Sequence, residues 1–492
     1  MSIDKFFKNS SVYSLGSIFV IAFSLLSFPI TTRYLSVEDY GIINIVGAVT
    51  GLLIAIGKMG TSKSIMRFFT NETREPNSQK AYYSTVIAGV GLSSLVVMFV
   101  VLSLIYFISY FKTDWADEKV LIIAIVGAFS VFSASLYSSI LNLLKASEQA
   151  IRQTTIQVTT KMITSVSVII VLVFVSQTAI AMLAAMLLVE LIIVCIVVFY
   201  VFGKERVAFK CYNKDLHWKM IVFGAPLIGW EMSAQVLSFT DKYMLTYILG
   251  IEAVAHYSAP YNLASFIYTG LFLAIAGAAT PIATRIWETK GEVETREFLY
   301  RSSTYYIAVG GIVIVMFSII GEDLLKILTG GKYNADSVFL FVLVFSFFVK
   351  GLSDISVFSL YIQKKAPLML KLMLVSVLVN MVLCFVLIPK WGVLGAAVGT
   401  LISNLVLLCL IYWNARNMKI FRLPYETTVV VVFACSLVVF VVSNVSASLW
   451  YVQMISQVVL GVLIYFAVLF SLEKKIRQEL LVFIRKSRSG NT

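Results

Sequence analysis

Apolar residues run along this chain in fourteen blocks, each long enough to cross a bilayer, separated by short polar connections. The blocks fall near 11–32, 41–57, 82–110, 120–143, 154–176, 179–202, 218–248, 254–282, 303–320, 337–360, 367–388, 393–413, 427–447 and 450–471. A helix needs about 20 mostly apolar residues to span the hydrocarbon core, and about 17 suffice. The pattern predicts an all-α, polytopic membrane protein of fourteen transmembrane helices. Composition agrees, with 59% hydrophobic and 13% charged residues, which fits no soluble class.

Charge on the connections alternates. Twenty-nine Lys and Arg lie in the N-terminal segment, in every second connection and in the tail, from Lys5 and Lys8 through Lys204, Arg206 and Lys210 to Arg485, Lys486 and Arg488. The intervening connections are poor in them, with Arg33, Lys112, Lys326, Lys332 and Lys390 among the few. The positive-inside bias assigns the basic set to the cytoplasm, and an even span count puts both termini there. The formal charge of +13 is then explained by topology and anionic headgroups, without nucleic acid. The first apolar run continues past Pro29 to Arg33 without a convincing cleavage site, and reads as a retained helix. Cys195, Cys211, Cys384, Cys409 and Cys435 show no paired spacing and read as packing residues. With only His217 and His256 as histidines, no metal centre is expected.

Shifting the chain by about 214 residues lays the first six blocks on blocks seven to twelve, and Leu35-Ser36-Val37-Glu38 on Leu249-Gly250-Ile251-Glu252. Six helices is an even number, so the two halves share an orientation and an axis along the membrane normal. Parallel repeats of this kind hold the substrate at their interface. The expected organisation is a six-helix lobe over 1–205, a second pseudo-symmetric lobe over 206–422, and 423–492 as helices thirteen and fourteen with a basic tail.

Ionisable residues deep in the blocks are few: Lys161, Glu190, Glu231, Asp241, Lys242, Lys350, Asp354 and Lys371. Each costs about 2.5–3.5 kcal/mol at the bilayer centre on insertion scales, so each needs a partner or a wet cavity. Lys371, near a helix end, can snorkel. Lys350 and Asp354 are four apart and either neutralise each other or take part in ion coupling. Glu231, Gln235, Ser238 and Lys242, spaced 4, 3 and 4, share one face of block seven, with Asp241 at its edge. The equivalent face of block one reads Ser17, Ile21, Ser24 and Phe28. Polar glue between helices would explain hydroxyls and amides, but the charges exceed what packing requires and point to a hydrated cavity. Arg33 and Lys58 stand where they can add cations to it or act as interfacial anchors. No Gly-x-x-x-x-Gly-Lys loop is present, and no loop gathers acid–base groups, so nothing points to an ATPase or to another enzyme.

Four stretches resemble the polysaccharide (O-antigen and capsule repeat-unit) flippase family, within the superfamily that also holds lipid II flippases and multidrug exporters. They are Phe28-Pro-Ile-Thr-Thr-Arg-Tyr-Leu-Ser-Val-Glu-Asp-Tyr-Gly41, Gly224-Ala-Pro-Leu227, Asp241-Lys-Tyr-Met-Leu245 with Leu249-Gly-Ile-Glu-Ala-Val254, and Ile388-Pro-Lys-Trp-Gly-Val-Leu-Gly-Ala-Ala397. The resemblance covers residues 1 to about 420. It implies two lobes around a cavity lined mainly by helices 1, 2, 7 and 8, and an oligosaccharide substrate on undecaprenyl pyrophosphate in a bacterial cytoplasmic membrane. Lys58, where the family often has an apolar residue, and Lys242, where Arg is typical, depart from the pattern. In that frame Arg33 and Lys242 would hold the pyrophosphate by charge-assisted contacts, while Ser17, Ser24, Gln235 and Ser238 suit sugars. Glu231 and Asp241 would orient the cations or couple transport to H+ or Na+. No cofactor is expected; partners would be membrane lipids and other polysaccharide assembly proteins. Two other readings are a cation-coupled multidrug exporter and, for an enzyme of the same pathway, a membrane polymerase or ligase, which should carry a long outer catalytic loop.

Overall fold

The structure is a computed structural model and describes residues 3–72, 76–111, 118–199, 207–272, 282–284, 286–287, 289–363, 365–416, 422–444, 450–473 and 477. Among these it is helical, with no strand. The helices are α1 (Ile3–Tyr34), α2 (Val37–Gly57), α3 (Thr61–Glu72), α4 (Pro76–Phe111), α5 (Glu118–Ala146), α6 (Ala150–Ile170) and α7 (Ala179–Val197). They continue as α8 (Lys214–Leu249), α9 (Ile251–Ile267), α10 (Glu292–Thr329), α11 (Ser337–Ser356), α12 (Phe358–Ile362), α13 (Ala366–Arg416), α14 (Tyr425–Val442) and α15 (Trp450–Leu472). Residues 273–281, and the tail from 474 onward apart from 477, lie outside the described residues.

Eleven helical segments among the described residues are long and apolar enough to cross a membrane. One, Pro367–Ala415, is broken at Gly392, whose φ of 57° and ψ of −134° are not helical. Glycine meets that positive φ without the steric cost a Cβ would bring. Polar side chains cap several starts: Ser36 accepts from the Asp39 amide, Thr178 from Ala181, Asn213 from Leu216 and Asp336 from Phe339. These bonds satisfy amides that the first helical turn leaves without partners. Helices begin at Val37 and again at Ile251, the spacing seen in the sequence repeat.

The helices divide into two compact units. The first comprises Met1–Ala259, Leu328–Tyr333 and Ala366–Thr400. In it α1 packs on α6, α4 on α5, and α2 on both α5 and α8. Its core gathers Ile65, Tyr82, Val90, Ile140, Leu143 and Leu144, all buried. Tyr82 is wholly enclosed, and its buried hydroxyl is satisfied by the Ile65 carbonyl at 2.6 Å. The turn between α2 and α3 presses on α8: a Cβ on Gly60 (φ +68°) would lie 2.2 Å from the Gly224 carbonyl oxygen. Only glycine fits there. The second unit comprises Pro260–Ile327, Asn334–Lys365 and Leu401–Thr492. There Tyr306 stacks on Phe348 and donates to its carbonyl at 2.8 Å, and Tyr465 donates to the Ala308 carbonyl at 2.6 Å.

Outside these cores the helices expose large apolar residues such as Phe99, Phe107, Leu188, Phe385, Phe440 and Leu463. Such a surface suits hydrocarbon, and helices suit it too because their backbone groups are satisfied internally.

Candidate functional site

The site is best built outward from α8, whose polar face is divided between two environments. Glu231, Gln235 and Ser238 are half-buried, whereas Asp241 and Lys242 are buried at 1% and 8% exposure. Gln235 faces α2: a Cβ on Gly51 would stand 2.8 Å from the Phe239 ring and 3.8 Å from Gln235 Oε1. Glu231 is close enough to Lys58, just past the end of α2, for their charges to attract. Lys58 Nζ also donates to Ser138 Oγ on α5 at 3.4 Å. Ser238 donates back along its own helix to the Ala234 carbonyl at 3.1 Å.

The hydroxyls of α1 are engaged otherwise. Ser17 donates to the Tyr13 carbonyl at 3.0 Å and Ser24 to the Val20 carbonyl at 2.9 Å. Their hydrogens are used within α1, which leaves only oxygen lone pairs for another partner. The helix packs along α6, where Ser165 donates to the Phe23 carbonyl at 3.1 Å.

Asp241 is the centre of a buried polar knot. Thr400 donates to Oδ2 at 2.5 Å and Tyr257 to the same oxygen at 2.8 Å. Asn380 Nδ2 reaches Oδ1 at 3.3 Å, and the Cys384 thiol reaches it at 3.4 Å. Asn380 also donates to Thr400 at 3.2 Å. Asn380 and Cys384 precede Gly392 and Thr400 follows it, so the break in α13 brings both of its arms to one carboxylate. A carboxylate can accept about four hydrogen bonds, and Asp241 has four donors. One acceptor in the knot has no partner among the described residues, the Asn380 Oδ1 atom.

Arg33 is exposed at the end of α1, and its Nε donates to the Leu328 carbonyl at 3.0 Å, in the last turn of α10. A cation there meets carbonyls that a helix C-terminus leaves open. Lys332 reaches back the other way, onto the Leu35 carbonyl. Between them Tyr333 is buried against Tyr40 of α2, centroids 5.3 Å apart, and His256 of α9, 5.6 Å apart.

Lys350 and Asp354 share one face of α11, but within the described residues no ion pair under the usual 4 Å joins them. Tyr268 stands between: its hydroxyl donates to Asp354 at 2.7 Å and its ring lies under the Lys350 ammonium at 5.2 Å. Tyr268 opens a widened π turn, Tyr268–Phe272, a local departure from helix that recurs at functional sites.

Sequence reasoning placed Asp241 in the right helix and missed Tyr257, Asn380, Cys384 and Thr400. Packing alone does not describe Cys384, which turns its thiol to Asp241. The i, i+4 spacing of Asn380 and Cys384 inside an apolar block was the available signal.

The family described as "Polysaccharide biosynthesis protein" matches residues 6–287, more than half of the chain. The chain belongs to this family. The MatE family matches residues 226–386. Among individual relatives, an uncharacterized membrane protein of Methanocaldococcus jannaschii is 21% identical over 217 residues, 44% of this chain and 42% of that one. A Shigella flexneri protein provisionally named an O-antigen transporter is 23% identical over 201 residues, 41% of this chain and 47% of its own. The matched stretches thus span less than half the length of either relative. The fold is that of a solved lipid II flippase, MurJ, in an inward closed conformation: TM-score 0.71 at 14% identity, covering 94% of this chain and 99% of that one. An inward-facing multidrug resistance MATE family transporter of the MOP superfamily gives a TM-score of 0.64 at 13% identity, covering 82% and 98%.

Proposed function

We propose that this protein is a flippase that moves undecaprenyl-pyrophosphate-linked oligosaccharide repeat units across a bacterial cytoplasmic membrane for surface polysaccharide assembly. The observation that carries the reading is family membership over residues 6–287 in a chain that also has the fold of a lipid II flippase along most of its length. The physical logic agrees. A pyrophosphate-sugar headgroup cannot cross hydrocarbon while its polyprenyl tail can stay in it, so a protein need supply only a polar, partly cationic path. Transport rather than catalysis is the task, and the partners are lipids and other polysaccharide assembly proteins.

The finer layout belongs to the same reading. Fourteen helices span the membrane as two six-helix lobes, 1–205 and 206–422, with both termini cytoplasmic. The break at Gly392 and the matched starts at Val37 and Ile251 support it. The face carrying Glu231, Gln235 and Ser238 lines the path, with Lys242 and Arg33 as its cations. A coupling ion, H+ or Na+, is handled at Asp241, where a buried carboxylate adjoins the Asn380 amide oxygen, which has no partner among the described residues. The exporter reading rests on the MatE match.

The test is translocation in proteoliposomes. Purified protein should carry a lipid-linked oligosaccharide, radiolabelled in its sugar, from the outer to the inner leaflet, faster than protein-free vesicles. Cells overproducing it should gain no resistance to cationic drugs. Drug resistance without oligosaccharide translocation would establish the exporter instead.

A further inference from the structure

A cavity of about 400 Å³ lies among α1, α2, α5, α6 and α7, apart from the knot around Asp241. That volume is within the range of small-molecule sites. Most of its wall is apolar, with Val46 from α2 and Leu187 from α7 among the contributors. Against this wall stand two charges and a few polar groups. Lys161 and Gln157 project from α6, four residues apart on one face, and Glu190 projects from α7. Ser133 of α5 donates to Glu190 Oε2 at 2.6 Å, which fixes that carboxylate. Gln157 Oε1 accepts from Gln153 at 3.2 Å, so its amide hydrogens point elsewhere. Lys161 has no hydrogen bond or ion pair among the described residues, and none joins it to Glu190. An ammonium without a bonded partner in a largely apolar wall is costly, which makes it the group that a ligand would satisfy.

The chemistry narrows the ligand. A cationic drug would meet Lys161 directly. A neutral sugar would bring the ammonium no charged contact. A phosphate dianion would bring two negative charges to one cation, with Glu190 in the same cavity. A singly charged carboxylate brings Lys161 a charge-assisted contact with half the dianion's repulsion from Glu190, and the amide of Gln157 and the free lone pairs of Glu190 suit hydroxyls. We propose that this cavity is a recognition site for one acidic monosaccharide, a hexuronate, its carboxylate on Lys161 and its hydroxyls on Gln157 and Glu190. The inference rests on the flippase reading in one respect: the sugar would be a unit of the carried oligosaccharide.

Binding to the full-length protein in detergent tests it by calorimetry with glucuronate, glucose and glucose 6-phosphate as probes. Glucuronate should bind more tightly than the other two. Lys161→Gln should weaken glucuronate by roughly tenfold to a hundredfold and leave the weak binding of glucose unchanged. Glu190→Gln keeps an acceptor for Ser133 while removing the like charge. It should tighten glucuronate and admit glucose 6-phosphate, a gain that a misfolded variant could not show. Equal binding of the three probes by folded wild-type protein, or a glucuronate preference that survives in both variants unchanged, overturns the proposal. Wild-type protein that translocates oligosaccharide yet ignores glucuronate sinks this inference alone. Lys161-dependent glucuronate binding without translocation sinks the flippase reading alone.

Discussion

Thr400 donates to the Asp241 carboxylate across 2.5 Å, from beyond the break in α13 that Gly392 creates. The bond ties α8 to the second arm of α13, as Asn380 ties it to the first. Asp241→Ala would leave the hydroxyls of Tyr257 and Thr400 and the Asn380 amide without their shared acceptor. Each unsatisfied buried group costs about 1–3 kcal/mol, so thermal unfolding in detergent should shift clearly downward. Thr400→Val removes one donor only and should cost about 0.6–1.7 kcal/mol, the range for hydrogen bonds between membrane helices. If Asp241 also handles the coupling ion, Asp241→Asn should abolish translocation while unfolding moves less than for Ala. Normal translocation by Asp241→Asn would remove coupling from this residue.

Tyr268 connects Lys350 to Asp354, and the three should behave as one unit. Asp354→Asn and Lys350→Met each leave the other charge buried. The double variant should therefore be more stable than the sum of the single losses predicts. A double-mutant cycle on unfolding should give a coupling of about 0.5–3 kcal/mol for groups in one network. Tyr268→Phe should reduce that coupling, since it removes the 2.7 Å bond to Asp354. Strict additivity would show that the two charges are independent.

The periodicity of apolar residues made the helical membrane architecture legible, because a bilayer demands long apolar runs and no other fold supplies them in such number. The polar stripe of α8 was legible for the same reason, through the 3.6-residue period. Which neighbour it faces was not. Side-chain spacing gives a face but not a partner; Gly51 and Lys58 of the α2 region meet it, and helix 2 is one of the four that the family resemblance implies around the cavity. The knot around Asp241 was illegible because its members lie on three helices and depend on a kink at Gly392. Arg33 carried no sign in the sequence that it would bond the Leu328 carbonyl, 295 residues away.

The charge alternation predicts the orientation of the termini. On a background lacking Cys195, Cys211, Cys384, Cys409 and Cys435, a cysteine placed at Ser489 should resist a membrane-impermeant maleimide in intact cells and react after lysis. A cysteine at Lys112 should react in intact cells. Because Cys384 contacts Asp241, its replacement should be serine, which retains a donor. Labelling of position 489 from outside would invert the topology and, with it, the side from which substrate is taken.

Arg33 and Lys242 separate a substrate-binding role from a structural one. Arg33 is exposed and bonds the Leu328 carbonyl, a contact to a helix C-terminus worth about 0.3–1 kcal/mol. Arg33→Ala should therefore leave the protein at near-normal level in the membrane. If the guanidinium also meets the pyrophosphate, glycan export in cells should fall well below what so small a loss of stability could cause. Lys332→Ala is the control, since it breaks the neighbouring contact to the Leu35 carbonyl at the same end of α1. Export lost with Arg33→Ala and kept with Lys332→Ala assigns Arg33 to substrate; equal losses assign both to holding the 328–333 turn. Lys242 is buried beside Asp241, so Lys242→Ala removes one charge of an adjacent pair and should lower both stability and export. Lys242→Arg, which keeps the cation, should restore export if charge is what the site requires, and leave it low if the fit around an ammonium matters more.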